Sequence, residues 1–186
     1  MNSSLFYSLL QKNFPFTPTY KQDVFFQKIA IFLTEKDNNT IFVLKGYAGT
    51  GKTALIGGFV NALKTIKIKS VLLAPTGRAA KVISVYSKKQ AFTIHKKIYF
   101  PKKMPNGSVD FVLQNNKHTN TIFIIDEASM IPDRPQNGKL FENGSLLDDL
   151  ISYVYSGRNC KLILIGDEGQ LPPVGSDFSP ALNDEY

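Results

Sequence analysis

The chain has 186 residues, 43% of them apolar, one cysteine and a formal net charge of +7. That is enough for one well-packed domain and too little for two of ordinary size, and no window approaches the roughly 18 consecutive apolar residues of a membrane span. The charge is uneven: net +3 over residues 1–60, net +11 over 61–118 with Asp110 as the only acid, and net −7 over 119–186. A basic middle beside an acidic end suits a surface that meets a polyanion, although a solvated lysine face gives the same count.

In chain order, the opening MNSSLFYSLLQKNF lacks the basic start and cleavage pattern of a signal peptide. Val24, Phe25, Ile29, Phe32 and Leu33 recur at helical spacing, and Ile41–Leu44 is a short apolar run that reads as a strand. Gly46–Thr53 follows, then a second helical pattern at Leu55, Phe59, Val60, Leu63 and Ile66. Val71–Ala74 is the next strand. Residues 97–118 predict a hairpin turning at Asn106-Gly107, with Pro101 weakening its first arm. Ile122–Ile125 is a third strand, and 132–145 reads as a long polar loop.

Leu146, Leu147, Leu150, Ile151 and Val154 predict a helix capped by Ser145, with Asp148 and Asp149 suited to its first turn. Cys160 cannot form an internal disulfide; it reads as a small buried hydrophobe and fits a reducing, cytoplasmic setting. Leu162–Ile165 is the fourth strand. The strands are continuously apolar instead of alternating, as expected of strands buried on both faces. The fold class is therefore α/β: a mainly parallel sheet flanked by helices, with a small hairpin insertion.

Gly46-Tyr47-Ala48-Gly49-Thr50-Gly51-Lys52-Thr53 matches GxxxxGK[ST] between a strand and a helix. Glycines let successive backbone N–H groups converge on a phosphate, and the following helix adds its positive end. Lys52 can reach the outer phosphates of a bound nucleotide, and the Thr53 hydroxyl can ligate Mg²⁺. Such a loop needs an acid at the end of a neighbouring buried strand, and Asp126-Glu127 supplies one. Asp126 would hold the metal; Glu127 would polarise the attacking water. The fourth strand also ends in polar residues, Gly166-Asp167-Glu168-Gly169-Gln170, where a neutral glutamine can sense a γ-phosphate.

In this order GYAGTGKT (46–53), APTGRAA (74–80), TIH (93–95), DEAS (126–129) and GDEGQLPPV (166–174) resemble helicase motifs I, Ia, Ib, II and III. The set is similar to that of superfamily 1 DNA helicases of the RecD-like and Dda-like branch, over about residues 14–180. Phe16-Thr17-Pro18 with Gln22 resembles the family's Q-motif, which recognises adenine. The resemblance implies a single RecA-like P-loop NTPase lobe over 1–186, using ATP and Mg²⁺, with 97–118 where relatives insert a small subdomain that can act as a strand-separating pin. Nucleotide contacts fall to Gln22, Gly46, Gly49, Thr50, Gly51, Lys52 and Thr53, and the metal to Thr53 and Asp126. It makes Glu127 the catalytic base and Gln170 the γ-phosphate sensor. It places Pro75, Thr76, Arg78, Thr93 and His95 at single-stranded DNA, within the basic stretch.

Phe92, Tyr99 and Phe100 lie among Lys96, Lys97, Lys102 and Lys103. That mixture suits base stacking and phosphate contact, although Phe92 and Tyr99 taken singly are better read as core than as base-stackers.

Family members continue into a second RecA-like lobe that supplies an arginine to the γ-phosphate. The chain is therefore expected to be a fragment whose partner is that second lobe, nearly inactive alone, from a motor moving 5′→3′. Three alternatives remain. A superfamily 1 RNA helicase shares the GDxxQLPP-type motif III, but APTGRAA resembles the DNA branch. A nucleotide-gated nucleic-acid binding module without turnover, and a small-molecule kinase, are the others.

Overall fold

The computed structural model describes residues 2–35, 40–104, 107, 109–133, 144–170, 172–173 and 176–183. Five strands form one wholly parallel sheet: β1 (Ile41–Lys45), β2 (Lys69–Ala74), β3 (Ala91–Thr93), β6 (Thr121–Ile125) and β7 (Lys161–Gly166), in the order β1-β7-β6-β2-β3. Two more, β4 (Tyr99–Lys103) and β5 (Val109–Leu113), pair antiparallel as a separate ribbon. The α-helices are α1 (Ser3–Asn13), α2 (Tyr20–Thr34), α3 (Lys52–Thr65), α4 (Gly77–Ser87), α5 (Ile94–Ile98) and α6 (Leu146–Ser156).

The apolar strand runs conceal a sidedness of period two. Ile122, Ile124, Ile163 and Ile165 pack against Phe26, Ile29, Ile56, Phe59 and Leu63 of α2 and α3. Phe123, Ile125, Leu162 and Leu164 face the other way, onto Ile94, Ile98, Leu147, Leu150 and Val154 of α5 and α6. Both faces are covered, so every central position must be apolar. Cys160 is buried in the second cluster, as its neighbours lead one to expect.

The opening segment is helical. Asn2 caps α1 by accepting from the Ser4 N–H at 3.0 Å, and Phe6 and Leu10 are fully buried, with Phe6 edge-on to Phe59 at 6.2 Å. The Tyr7 hydroxyl donates to Asp23 Oδ1 at 2.6 Å, fastening α1 to α2 and holding the Asp23 carboxyl below its usual range. Ser145 caps α6 as expected.

The ribbon β4-β5 pairs Tyr99 with Leu113 through Lys103 with Val109. Gly107 takes φ +85°, the left-handed region that a tight reversal requires; Asn106 lies outside the described residues, as does most of the 132–145 loop. Pro101 is accommodated because each strand of a two-stranded ribbon is an edge.

Candidate functional site

In a parallel sheet all strands end on the same edge, and ligands bind at that edge. Here it carries the five motifs that follow strands. The loop after β1 is Gly46–Thr53; β7 ends at Asp167 and Gln170; β6 ends at Asp126-Glu127; β2 ends at Pro75-Thr76; β3 ends at Thr93. The candidate nucleotide residues thus occupy one half of the edge and the candidate nucleic-acid residues the other.

The phosphate loop has the backbone that its glycines permit. Gly49 and Gly51 sit at φ +78° and +87°, and a Cβ on Gly51 would come within 2.8 Å of Gln22 Nε2. Gly51 is the N-cap of α3, so Lys52 and Thr53 open the helix. Lys52 Nζ donates to the carbonyl oxygens of Gly46 and Tyr47 and lies 3.4 Å from Asp167 Oδ2. Gln22 is held at the loop: its Oε1 accepts from the Thr19 N–H at 2.9 Å in the cap of α2, and its Nε2 donates to the Thr50 carbonyl at 3.4 Å.

One sequence expectation needs correction. Asp126 does not end the strand beside β1, because β7 lies between β1 and β6. The carboxylate facing Lys52 is therefore Asp167, which is 2% exposed and also accepts the Gly169 N–H at 2.8 Å. Sequence reasoning assigned Asp167 no role. Its position immediately after a buried strand, parallel to that of Asp126, was the available signal.

Asp126 and Glu127 sit at the mouth of β6. Burial, and then the neighbouring Glu127 charge, push the Asp126 carboxyl up to about 6. Glu127 adopts φ +55°, ψ +38°, a left-handed conformation that is strained for a glutamate. The strain turns the chain sharply into the 3-10 turn Ala128–Met130, where the buried Ser129 hydroxyl reaches Gln170 Oε1 at 3.3 Å. The residues following the two acidic strand ends are thereby tied together.

Two cavities open on this edge. One, about 690 Å³, is lined by the phosphate loop, Glu127, Asp167 and Gln170, and also by Asn13, Pro15, Phe16 and Tyr86. Phe16 and Tyr86 are 66% and 62% exposed, and Tyr86 was not foreseen. The other, about 490 Å³, is lined by Thr76, Arg78, Ala79, Val82, Asp126, Glu127, Met130 and Gln170. Glu127 and Gln170 line both. Among the described residues no cluster of three or more His, Cys, Asp or Glu is present. A carboxylate and a hydroxyl are the kind of oxygen donors that a hard cation takes beside phosphates and water; here Thr53 lines the phosphate-loop cavity and Asp126 lines the other.

The candidate nucleic-acid residues fall into two groups. Arg78 is exposed in the first turn of α4, and His95 is exposed on α5 with its ring 5.8 Å from that of Tyr99. Thr76 and Thr93 instead cap helices, accepting from the Ala79 and Lys96 N–H groups at 3.2 Å. Tyr99 is no base-stacking platform: it is 7% exposed, and its hydroxyl donates to the buried Asp149 at 2.6 Å. Phe100 and Phe111 on the ribbon are exposed, and Lys97 lies over Phe92 at 6.0 Å.

Fold and site define a RecA-like P-loop nucleotide-binding domain. The sequence model of the AAA domain family matches residues 27–176, so the chain belongs to that family. It is 34% identical over 149 residues to an uncharacterised protein of Methanocaldococcus jannaschii, covering 74% of this chain and 12% of that one. It is 35% identical over 173 residues to the RecBCD enzyme subunit RecD of Buchnera aphidicola, covering 81% and 25%. It is 34% identical over 145 residues to the ATP-dependent DNA helicase dda of Enterobacteria phage T4, covering 75% and 29%. These relatives bear out the resemblance to superfamily 1 helicases of the RecD-like and Dda-like branch. The chain spans about a tenth to a third of the length of the curated relatives it matches.

Proposed function

We propose that the chain is the first RecA-like motor lobe, residues 1–186, of an ATP-dependent DNA helicase that moves 5′→3′ on single-stranded DNA. The observation that carries this reading is the sharing of Glu127 and Gln170 between the two cavities, one lined by the phosphate loop and the other by Arg78. A change at the γ-phosphate position is then felt, within the reach of one side chain, on the side where the nucleic acid would lie.

In this reading Lys52 binds the outer phosphates, Glu127 takes a proton from the attacking water, and Gln170 reports the γ-phosphate to motif Ia. Thr53 and Asp126 would hold Mg²⁺, which would neutralise phosphate charge when bound. Asp167 orients Lys52 through their contact at 3.4 Å. Pro75, Thr76, Arg78, Thr93 and His95 form the track, with Thr76 and Thr93 shaping the helix starts that present it. The relatives named as DNA helicases and the APTGRAA motif favour DNA over RNA. The catalytic quartet of Lys52, Asp126, Glu127 and Gln170 favours turnover over a passive switch.

Among the described residues the arginines are Arg78 and Arg158, and neither lines the nucleotide cavity. An arginine on the γ-phosphate is worth about 10³–10⁵ in rate in related phosphoryl transfers. A second lobe is the proposed source, and without it the chain binds MgATP, hydrolyses it barely and does not unwind DNA. Steady-state ATP turnover with and without excess single-stranded DNA tests this. Near-zero turnover alongside intact nucleotide binding is expected; turnover that rises with DNA in the isolated chain would overturn the second-lobe assignment.

A further inference from the structure

On the edge of the sheet opposite the nucleotide site, a cavity of about 400 Å³ is lined by Lys64, Lys67, Lys69, Lys88 and Lys89, with Val60, Asn61, Ile68 and Ser87. The five lysines converge from three places: the end of α3 and its exit, the start of β2, and the exit of α4. The sequence has no acidic residue between Asp37 and Asp110, so none of these elements carries a counter-charge. Among the described residues no ion pair joins any of the five to an acid.

The simplest explanation for lysines at helix exits is compensation of the helix dipole. The ends of α3 and α4 together present roughly −1 of charge. Five ammonium groups exceed that by about four, so dipole compensation accounts for only a small part of the cluster.

Two features show a built arrangement. Lys67 and Lys88 both adopt left-handed backbone, at φ +58° and +50°, at helix exits where glycine or asparagine is the unstrained choice. Lys89 is half-buried and its Nζ donates to the buried Ser70 hydroxyl at 2.7 Å, which fixes the ammonium in the cavity wall. Burial and the nearby Lys64 push the Lys89 ammonium down from its usual range, as expected where cations are gathered without an anion.

We propose that this cavity is a second phosphate-binding site, distinct from the phosphate loop, that takes a chain of phosphates. Two sources share that chemistry: the backbone of a nucleic-acid strand and a free polyphosphate. Asn61 lines both this cavity and the nucleotide cavity. The groove between α3 and α4 therefore connects the two sites. The proposal stands apart from the motor reading and does not need it.

The test is an amide chemical-shift titration of the full chain with inorganic tripolyphosphate and, separately, with a 12-residue oligothymidylate. Movement of the 64–70 and 87–89 amides by either probe supports the site. A response to both gives a general phosphate site; a response to the oligonucleotide alone identifies the backbone as the source, and to tripolyphosphate alone a free polyphosphate. Movement confined to 46–53, or to residues of the α4 start, overturns it. The Lys67→Asn/Lys88→Asn double variant removes two charges at positions where asparagine tolerates the left-handed backbone, so folding is retained. It should weaken the responding probe about tenfold at low salt, and should flatten an oligonucleotide's salt dependence by about 1.4. Unchanged affinity in that variant would also overturn the proposal.

Discussion

Replacing Asp126 by Asn should make the isolated domain more stable while removing the proposed Mg²⁺ contact. In the folded chain the Asp126 carboxyl is raised from 3.8 to about 6, first by burial and second by Glu127. A folded pKa above the unfolded one means that the native state holds the proton more tightly. Stability from this group is thus fully present below about pH 4 and is lost as pH rises through 6. A shift of about two units corresponds to at most about 3 kcal/mol, reduced to about 1–2 kcal/mol by solvent reaching the site mouth. Asparagine keeps the shape without the charge. At about 2–4 °C per kcal/mol for a chain of this size, the Asp126→Asn variant should melt about 2–8 °C higher at pH 7.5 in EDTA. The gap should close below pH 4. Thermal unfolding of both proteins at pH 4, 6 and 7.5 measures it. A variant that melts lower, or a gap that does not change with pH, would refute burial and like-charge repulsion as the cause. Adding MgATP should raise the melting temperature of the parent and leave the variant unmoved.

Lys52→Ala should abolish MgATP binding in a calorimetric titration, and it should also destabilise the fold by about 1–3 kcal/mol, because the buried Asp167 loses its counter-charge. Adding Asp167→Asn to it should recover most of that loss in denaturant unfolding, without restoring binding. Glu127→Gly removes the left-handed strain at φ +55° and should raise the unfolding free energy by about 0.5–1 kcal/mol, while ATP hydrolysis by the proposed two-lobe motor falls to background. Arg78→Ala should weaken single-stranded DNA binding and lower the slope of log affinity against log salt by about 0.7; an unchanged slope places the DNA elsewhere.

The short-range features were legible. The phosphate loop, the acid pair after a strand, the capped helix after Ser145 and the reversal near Gly107 are each specified by residues within a few positions of one another, through backbone preference and local hydrogen bonds. The opening helix was missed because its apolar positions, Phe6 and Leu10, gain their meaning only when packed on Phe59. The three-residue β3 is too short to show a period at all. Tyr99 taken singly read better as core than as a stacking face, and the partner that holds it there, Asp149, lies fifty residues away in sequence.

The sequence by itself determined the glycine-rich loop after β1 and the central strands buried on both faces, because those depend on glycine freedom and on apolar runs; β1, at the sheet edge, is only partly buried. The tertiary structure alone decided the strand order. The crossovers place β7 between β1 and β6, and with it Asp167 against Lys52 and Gln170 between the two cavities. It alone also gathered five lysines from three elements into one cavity wall. No local interaction encodes either arrangement. Both follow from how helices must pack to cover two faces of a parallel sheet, which is a property of the whole chain.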